Sequence, residues 1–167
     1  MNLDEIPDHA SVLIDANILI YAANRRSPQC VRFLARCGEE KFSSIIPTHI
    51  LAETMHVLML EEARENNWAT GANPARILSQ QPERIMMLHR YESAIRELIA
   101  SVTHIEPVFE QDYTAALALQ RTTGLLTNDA LFAATAQRLR VDAIASADSA
   151  FKRLADVSLY LPDDLAH

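Results

Sequence analysis

The chain has 167 residues, 49% of them hydrophobic and 22% charged, which suits one sizeable core and is too apolar for a disordered chain. Its formal net charge of −7 excludes indiscriminate binding to nucleic acid through bulk charge. It leaves room for a local basic patch, or for a site where metal ions supply the positive charge, while only three glycines leave no phosphate-cradling loop or dinucleotide fingerprint.

In chain order, residues 11–15 read as a strand, and Asp15 stands where that buried strand ends. Asn17 follows two places on, then the apolar run of the strand's helix, with Arg25 and Arg26 close behind. Ser27 and Pro28 form an N-cap and a first-turn proline, opening a helix over about 28–38. Cys30 and Cys37 lie two turns apart on it, about 10 Å along the axis and too far for a disulfide. They read as ordinary buried thiols of a reducing cytoplasm. SSII at 43–46 is a second strand ending at Pro47, and Thr48 caps a helix to about residue 66. Residues 68–84 contain Gly71, Pro74 and Pro82 and form a broken connection.

A long helix is predicted over roughly 83–101, and a third strand within 102–108, stopped near Pro107. A helix over 110–123 is closed by Gly124, and Asp129 lies in the first turn of a helix to about 140. Residues 143–146 form a fourth strand followed by a short helix, and VSLY at 157–160 an edge strand. Strands alternating with helices predict an α/β fold with a mostly parallel sheet of four to five strands, its sites at the carboxyl ends of the strands. The whole chain, 1–167, reads as a single domain. No apolar run approaches the ~20 residues of a membrane span, and the acidic start MNLDEIPDHA lacks the layout of a secretion signal. The expected location is cytoplasmic, with no membrane partner.

Four acids differ from the rest in their setting. Asp4, Asp8, Glu39, Glu40, Glu61, Glu62, Glu65, Asp163 and Asp164 lie in polar surroundings or charge clusters and read as solvated surface residues. Asp15 in VLIDAN, Glu53 in THILAETMHVL, Asp129 in LLTNDALFAATA and Asp148 in AIASADSAF are embedded in small or apolar sequence. A carboxylate near buried surface costs several kcal/mol unless it is paired, protonated or bound to metal. Each also has a local explanation: an Asx turn for Asp15, an exposed helix face for Glu53, the helix dipole for Asp129, a cap for Asp148. Gathered together they would repel, and a divalent cation removes that conflict; oxygen ligands suit Mg²⁺ or Mn²⁺ over zinc.

The segments VLIDANILIYA, SSIIPTHILAE and GLLTNDALFAATAQRLRVDAIASADSAF resemble, in that order, a PIN-domain protein of the kind found in VapC-type toxins of toxin–antitoxin pairs. The resemblance implies a three-layer α/β/α sandwich. It implies a metal-dependent endoribonuclease that hydrolyses RNA phosphodiester bonds with one or two Mg²⁺ or Mn²⁺ ions at Asp15, Glu53, Asp129 and Asp148. Asn17 and Ser146 become polar supports beside the metal. The implied partners are RNA, single-stranded or looped, a cognate antitoxin, and a second copy of the chain. Apolar faces of the helices around 48–66 and 83–101 could provide the dimer contact. Arg25 and Arg26 become possible contacts to RNA phosphates, against an ordinary role as a surface pair.

The segment 61–101 is longer than in the compact toxins and reads as a helical elaboration. This leaves open a stand-alone PIN nuclease, or a PIN scaffold that binds RNA or protein without cutting. His49, Glu53 and His56 share one helical face, but both histidines lie in an apolar helix and read as core or interface residues. His9, His89, His104 and His167 stand alone. Phosphatases whose first strand ends in aspartate want a second aspartate where this chain has Asn17. Response-regulator receivers want a late lysine that neither Lys41 nor Lys152 supplies.

Overall fold

Five short strands pair into one wholly parallel sheet: β1 Ser11–Ile14, β2 Ser43–Pro47, β3 His104–Glu106, β4 Ala143–Ala145 and β5 Ser158–Tyr160, in the order β3-β2-β1-β4-β5. The computed structural model describes residues 1–155 and 157–165; the isolated His167 lies outside them. Parallel strands cannot be joined by tight turns, so helices carry the crossings. Helices α1 Ala16–Ala23 and α2 Pro28–Gly38 lead from β1 to β2. Between β2 and β3 run α3 Thr48–Glu65, α4 Pro74–Ser79, α5 Pro82–Ile85 and α6 Arg90–Ala100. Helices α7 Glu110–Thr123 and α8 Thr127–Leu139 lead to β4, and a 3₁₀ turn, Ser149–Arg153, leads on towards β5. The result is a three-layer α/β/α sandwich.

The two central strands explain their own composition. Val12, Leu13 and Ile14 of β1 and Ala143, Ile144 and Ala145 of β4 are all buried. Strands covered on both faces read as continuous apolar runs without alternation. Ser27 caps α2 as its sequence predicts, accepting from the Cys30 N–H at 2.9 Å. Thr48 is instead the first helical residue of α3, with Pro47 in the cap position and no side-chain cap bond. Gly124 ends α7 at φ 71°, in the left-handed region that glycine enters freely. Both cysteines are buried and unpaired, and burial pushes the Cys30 thiol up to about 11 and the Cys37 thiol to about 12.

The long helix predicted over 83–101 is two pieces. Helix α5 ends at Ile85, and α6 begins only at Arg90. The reason lies in α3. Glu62, read from sequence as a solvated acid, is 3% exposed and accepts the backbone N–H groups of His89, Arg90 and Tyr91 at 3.1, 3.2 and 2.9 Å. A carboxylate from another helix thus supplies the acceptors that a first turn lacks. Asp164, exposed as its sequence suggested, also serves the start of α2, accepting from Ser27 Oγ at 2.6 Å and from the Gln29 N–H at 2.8 Å. Leu60, Ala63, Ala69, Leu78 and Leu88 form a small core of their own beneath α4 and α5. Among the described residues no helix is long and apolar enough to cross a membrane.

Candidate active site

The strand order makes β1 the point where the chain's direction of winding changes: β2 and β3 lie to one side, β4 and β5 to the other. Ligands of open α/β sheets bind in the crevice at the carboxyl ends beside such a point. Asp15 is the first residue beyond β1 and Ser146 the first beyond β4. The ladder carries on past both strands, with the Asp15 N–H donating to the Ala145 carbonyl at 3.0 Å and the Ser146 N–H to the Tyr160 carbonyl at 3.1 Å.

Asp15 is locked from several sides. It is the N-cap of α1, and its Oδ1 accepts from the Ala16 N–H at 2.7 Å. Its Oδ2 accepts from Ser146 Oγ at 2.6 Å and from Asn17 Nδ2 at 2.6 Å. Ser146 Oγ in turn accepts from the Asp148 N–H at 2.9 Å, and Asn17 Oδ1 accepts from the Ala147 N–H at 2.8 Å. One hydroxyl and one amide therefore tie the end of β1 to the loop that carries Asp148. Asp148 caps the 3₁₀ turn, accepting from the Ala150 N–H at 2.7 Å.

Glu53 and Asp129 approach from α3 and α8. Glu53 is half-buried, and its Oε2 accepts from Asn128 Nδ2 at 3.0 Å. Asn128, the neighbour of Asp129, escaped the sequence reading; the signal available was a second polar residue in the same helical turn. The four acids act on one another. Burial first, then the charges of Asp129 and Glu53, raise Asp15 to about 6, against the lowering effect of its bonds to Ser146 and Ala16. Burial, then the charges of Asp148 and Glu53, hold Asp129 above its ordinary range. Asp15 and Asp129 thus stand in the field of the other acids.

The fold neutralises its other buried acids. Arg138 grips Asp112, 1% exposed, through Nε at 2.7 Å, and Glu106, 8% exposed, through Nη1 at 2.7 Å. Glu62 has its three N–H donors. Among the described residues no arginine or lysine pairs with Asp15, Glu53, Asp129 or Asp148. The donor set is all carboxylate oxygen and suits a hard divalent cation. The set stands open: among the described residues no three His, Cys, Asp or Glu side chains converge closely enough to hold an ion as they are.

Other candidates fall elsewhere. Arg25 and Arg26 follow the far end of α1, about 12 Å of helix away from Asp15. Arg26 lies exposed at the surface and pairs with Glu61 at 3.0 Å, and Glu61 is half-buried where its sequence suggested a solvated acid. His56 is exposed, while both ring nitrogens of His49 are buried without a hydrogen-bond partner, and burial lowers the pKa of that ring.

Comparison with known proteins defines the class. The PIN domain family model matches residues 12–157, and the chain belongs to the PIN-domain family. It is 27% identical over 156 residues to Ribonuclease VapC7 of Mycobacterium tuberculosis, spanning 91% of this chain and 92% of that protein. In fold it is similar to VapBC2 of Rickettsia felis bound to a promoter DNA fragment, with a TM-score of 0.61, 17% identity, and 91% and 98% of the two chains covered. It is also similar to Mycobacterium tuberculosis VapC20, a sarcin-ricin loop cleaving toxin, with a TM-score of 0.59, 15% identity, and 90% and 99% covered. A toxin–antitoxin complex from Klebsiella pneumoniae aligns at a TM-score of 0.52 and 20% identity over 88% of this chain and 95% of that one.

Proposed function

We propose that this chain is an endoribonuclease that hydrolyses RNA phosphodiester bonds with Mg²⁺ or Mn²⁺, and that it is the toxin of a toxin–antitoxin pair. The observation that carries the reading is a gathering of acids without a cation at the winding point. Asp15 is buried, Glu53 and Asp129 are half-buried and Asp148 is exposed, and among the described residues no arginine or lysine pairs with any of them, whereas Arg138 pairs with buried Glu106 and Asp112. Membership of the PIN-domain family, and relatives named as ribonuclease and as toxin–antitoxin complexes, support the same reading.

In this reading Asp15, Glu53, Asp129 and Asp148 hold the cation. A divalent ion there supplies Lewis acidity towards the phosphodiester and a lowered pKa for attacking water. The chain supplies the orientation. Ser146 and Asn17 fix Asp15 by donating to Oδ2, and Asp148 is fixed in turn through its own N–H on Ser146. The substrate is single-stranded or looped RNA, since a cutting site must reach an accessible backbone. Arg25 is exposed and, unlike Arg26, free of a carboxylate partner among the described residues, so it is the arginine of the pair left for a phosphate. An antitoxin and a second copy of this chain complete the proposed partners.

The test uses the purified chain and a structured RNA. Cleavage with MnCl₂, loss of it with EDTA, and loss of it in a folded Asp15→Asn variant are the expected results. A wild-type chain that binds the RNA and never cuts it is instead a binding scaffold. Cleavage by Asp15→Asn at the wild-type rate removes the mechanism.

A further inference from the structure

We infer that Asn128 is a positioning residue of this centre: its side-chain amide sets the direction in which Glu53 presents its carboxylate. The inference rests on the nuclease reading above. Asn128 Nδ2 donates to Glu53 Oε2 at 3.0 Å, joining α8 to α3 across 75 residues of chain. Its neighbour Asp129 is one of the four acids, so a single dipeptide serves two of them, Asp129 directly and Glu53 through the amide.

The local geometry has no other use for this side chain. Asparagine near a helix start ordinarily bonds its own backbone. In α8 the cap position belongs to Leu126, 76% exposed and without a side-chain cap bond, and Asn128 reaches across to another helix instead. Glu53 needs such a hold. It is half-buried on α3, and a long carboxylate side chain keeps several rotamers unless something fixes it.

An amide also has the right chemistry. It occupies Oε2 and leaves Oε1 unengaged by any protein donor among the described residues. It brings no charge, whereas lysine or arginine would neutralise Glu53 and compete with a cation, and aspartate would repel it. Only the NH₂ edge of the amide can face a carboxylate, because the carbonyl edge has no proton to give. Partners that orient metal ligands in this way are commonly worth ten- to a hundredfold in metal affinity.

The test is calorimetric titration of MnCl₂ into the metal-free full chain, with thermal unfolding in EDTA alongside. Asn128→Ala is expected to weaken Mn²⁺ binding by about tenfold or more, with the melting temperature in EDTA moved by no more than about 2 °C. Asn128→Ser is the second variant: serine is at home in a first helical turn but too short to reach Glu53. It is expected to lose affinity as alanine does. Wild-type Mn²⁺ affinity in Asn128→Ala, or full rescue by Asn128→Ser, overturns the inference and leaves the nuclease reading standing. A loss of affinity matched by a collapse of the EDTA melting temperature in both variants assigns Asn128 to folding and overturns it too. A wild-type chain that neither binds Mn²⁺ nor cuts RNA overturns the nuclease reading, and the inference with it.

Discussion

Ser146 Oγ donates to Asp15 Oδ2 at 2.6 Å, across 131 residues of chain, and accepts the Asp148 N–H at 2.9 Å. One hydroxyl therefore couples two of the four acids, and its removal should be felt at both.

Ser146→Ala is expected to slow RNA cleavage at fixed Mn²⁺ by about ten- to a hundredfold. It also leaves the Asp148 N–H without its acceptor, at a cost of about 1–3 kcal/mol in stability. Single-turnover cleavage and urea unfolding measure the two effects separately. Wild-type cleavage in this variant would detach the hydroxyl from the chemistry.

The metal-free protein should carry the signature of Asp15 in its pH dependence. Burial raises this carboxyl from 3.8 to about 6. Between those values the native state keeps a proton that the unfolded chain has released, so stability falls as pH rises through the window. The cost is absent below about 4 and complete above about 6, and its size is about 3 kcal/mol. Asp15→Asn should flatten that slope. Melting temperatures in EDTA from pH 3.5 to 8, taken on both proteins, check the prediction; parallel curves would rule it out.

Glu62→Ala should destabilise the chain by about 3 kcal/mol or more, because it strips the acceptor from three backbone N–H groups at the start of α6. Burial pushes the Glu62 carboxyl up, but the N–H groups of Tyr91, His89 and Arg90 and the Arg90 charge outweigh it and hold it below its ordinary value. That stabilisation is present above the unfolded pKa and is lost as pH falls through the folded one. Hydrogen exchange at Arg90 and Tyr91 should rise in the variant well before the central sheet opens. Unchanged protection there would show that α6 does not depend on Glu62.

The central strands were legible because they are short apolar runs ended by a polar or proline signal, as in VLI before Asp15 or SSII before Pro47. Burial on both faces made the runs of β1 and β4 continuous, while β3, His104–Glu106, has no apolar run and was marked only by the stop near Pro107. Asp15 stood out because its neighbours are apolar. The same criterion failed for Glu62, which sits among other acids on α3 yet is 3% exposed. Local composition reports one helix face; it cannot report that α4, α5 and α6 fold back over that face. For the same reason 83–101 read as one helix, since the cap that starts α6 comes from a residue 27 positions away from His89. Asp112 and Glu106 were passed over likewise, because their partner Arg138 arrives 26 and 32 residues later. Asn128 lay unread beside Asp129, its purpose visible only once α3 stands against α8.

The placement of β4 beside β1 has a consequence for folding. The Ser146–Asp15 hydrogen bond spans 131 residues of chain, and contacts so distant in sequence form only after a costly loop closure. A half-folded chain with β1 paired to β2 alone carries an unfinished centre. Asp15 gains its hydroxyl partner, and Asp148 its place, only once β4 has docked.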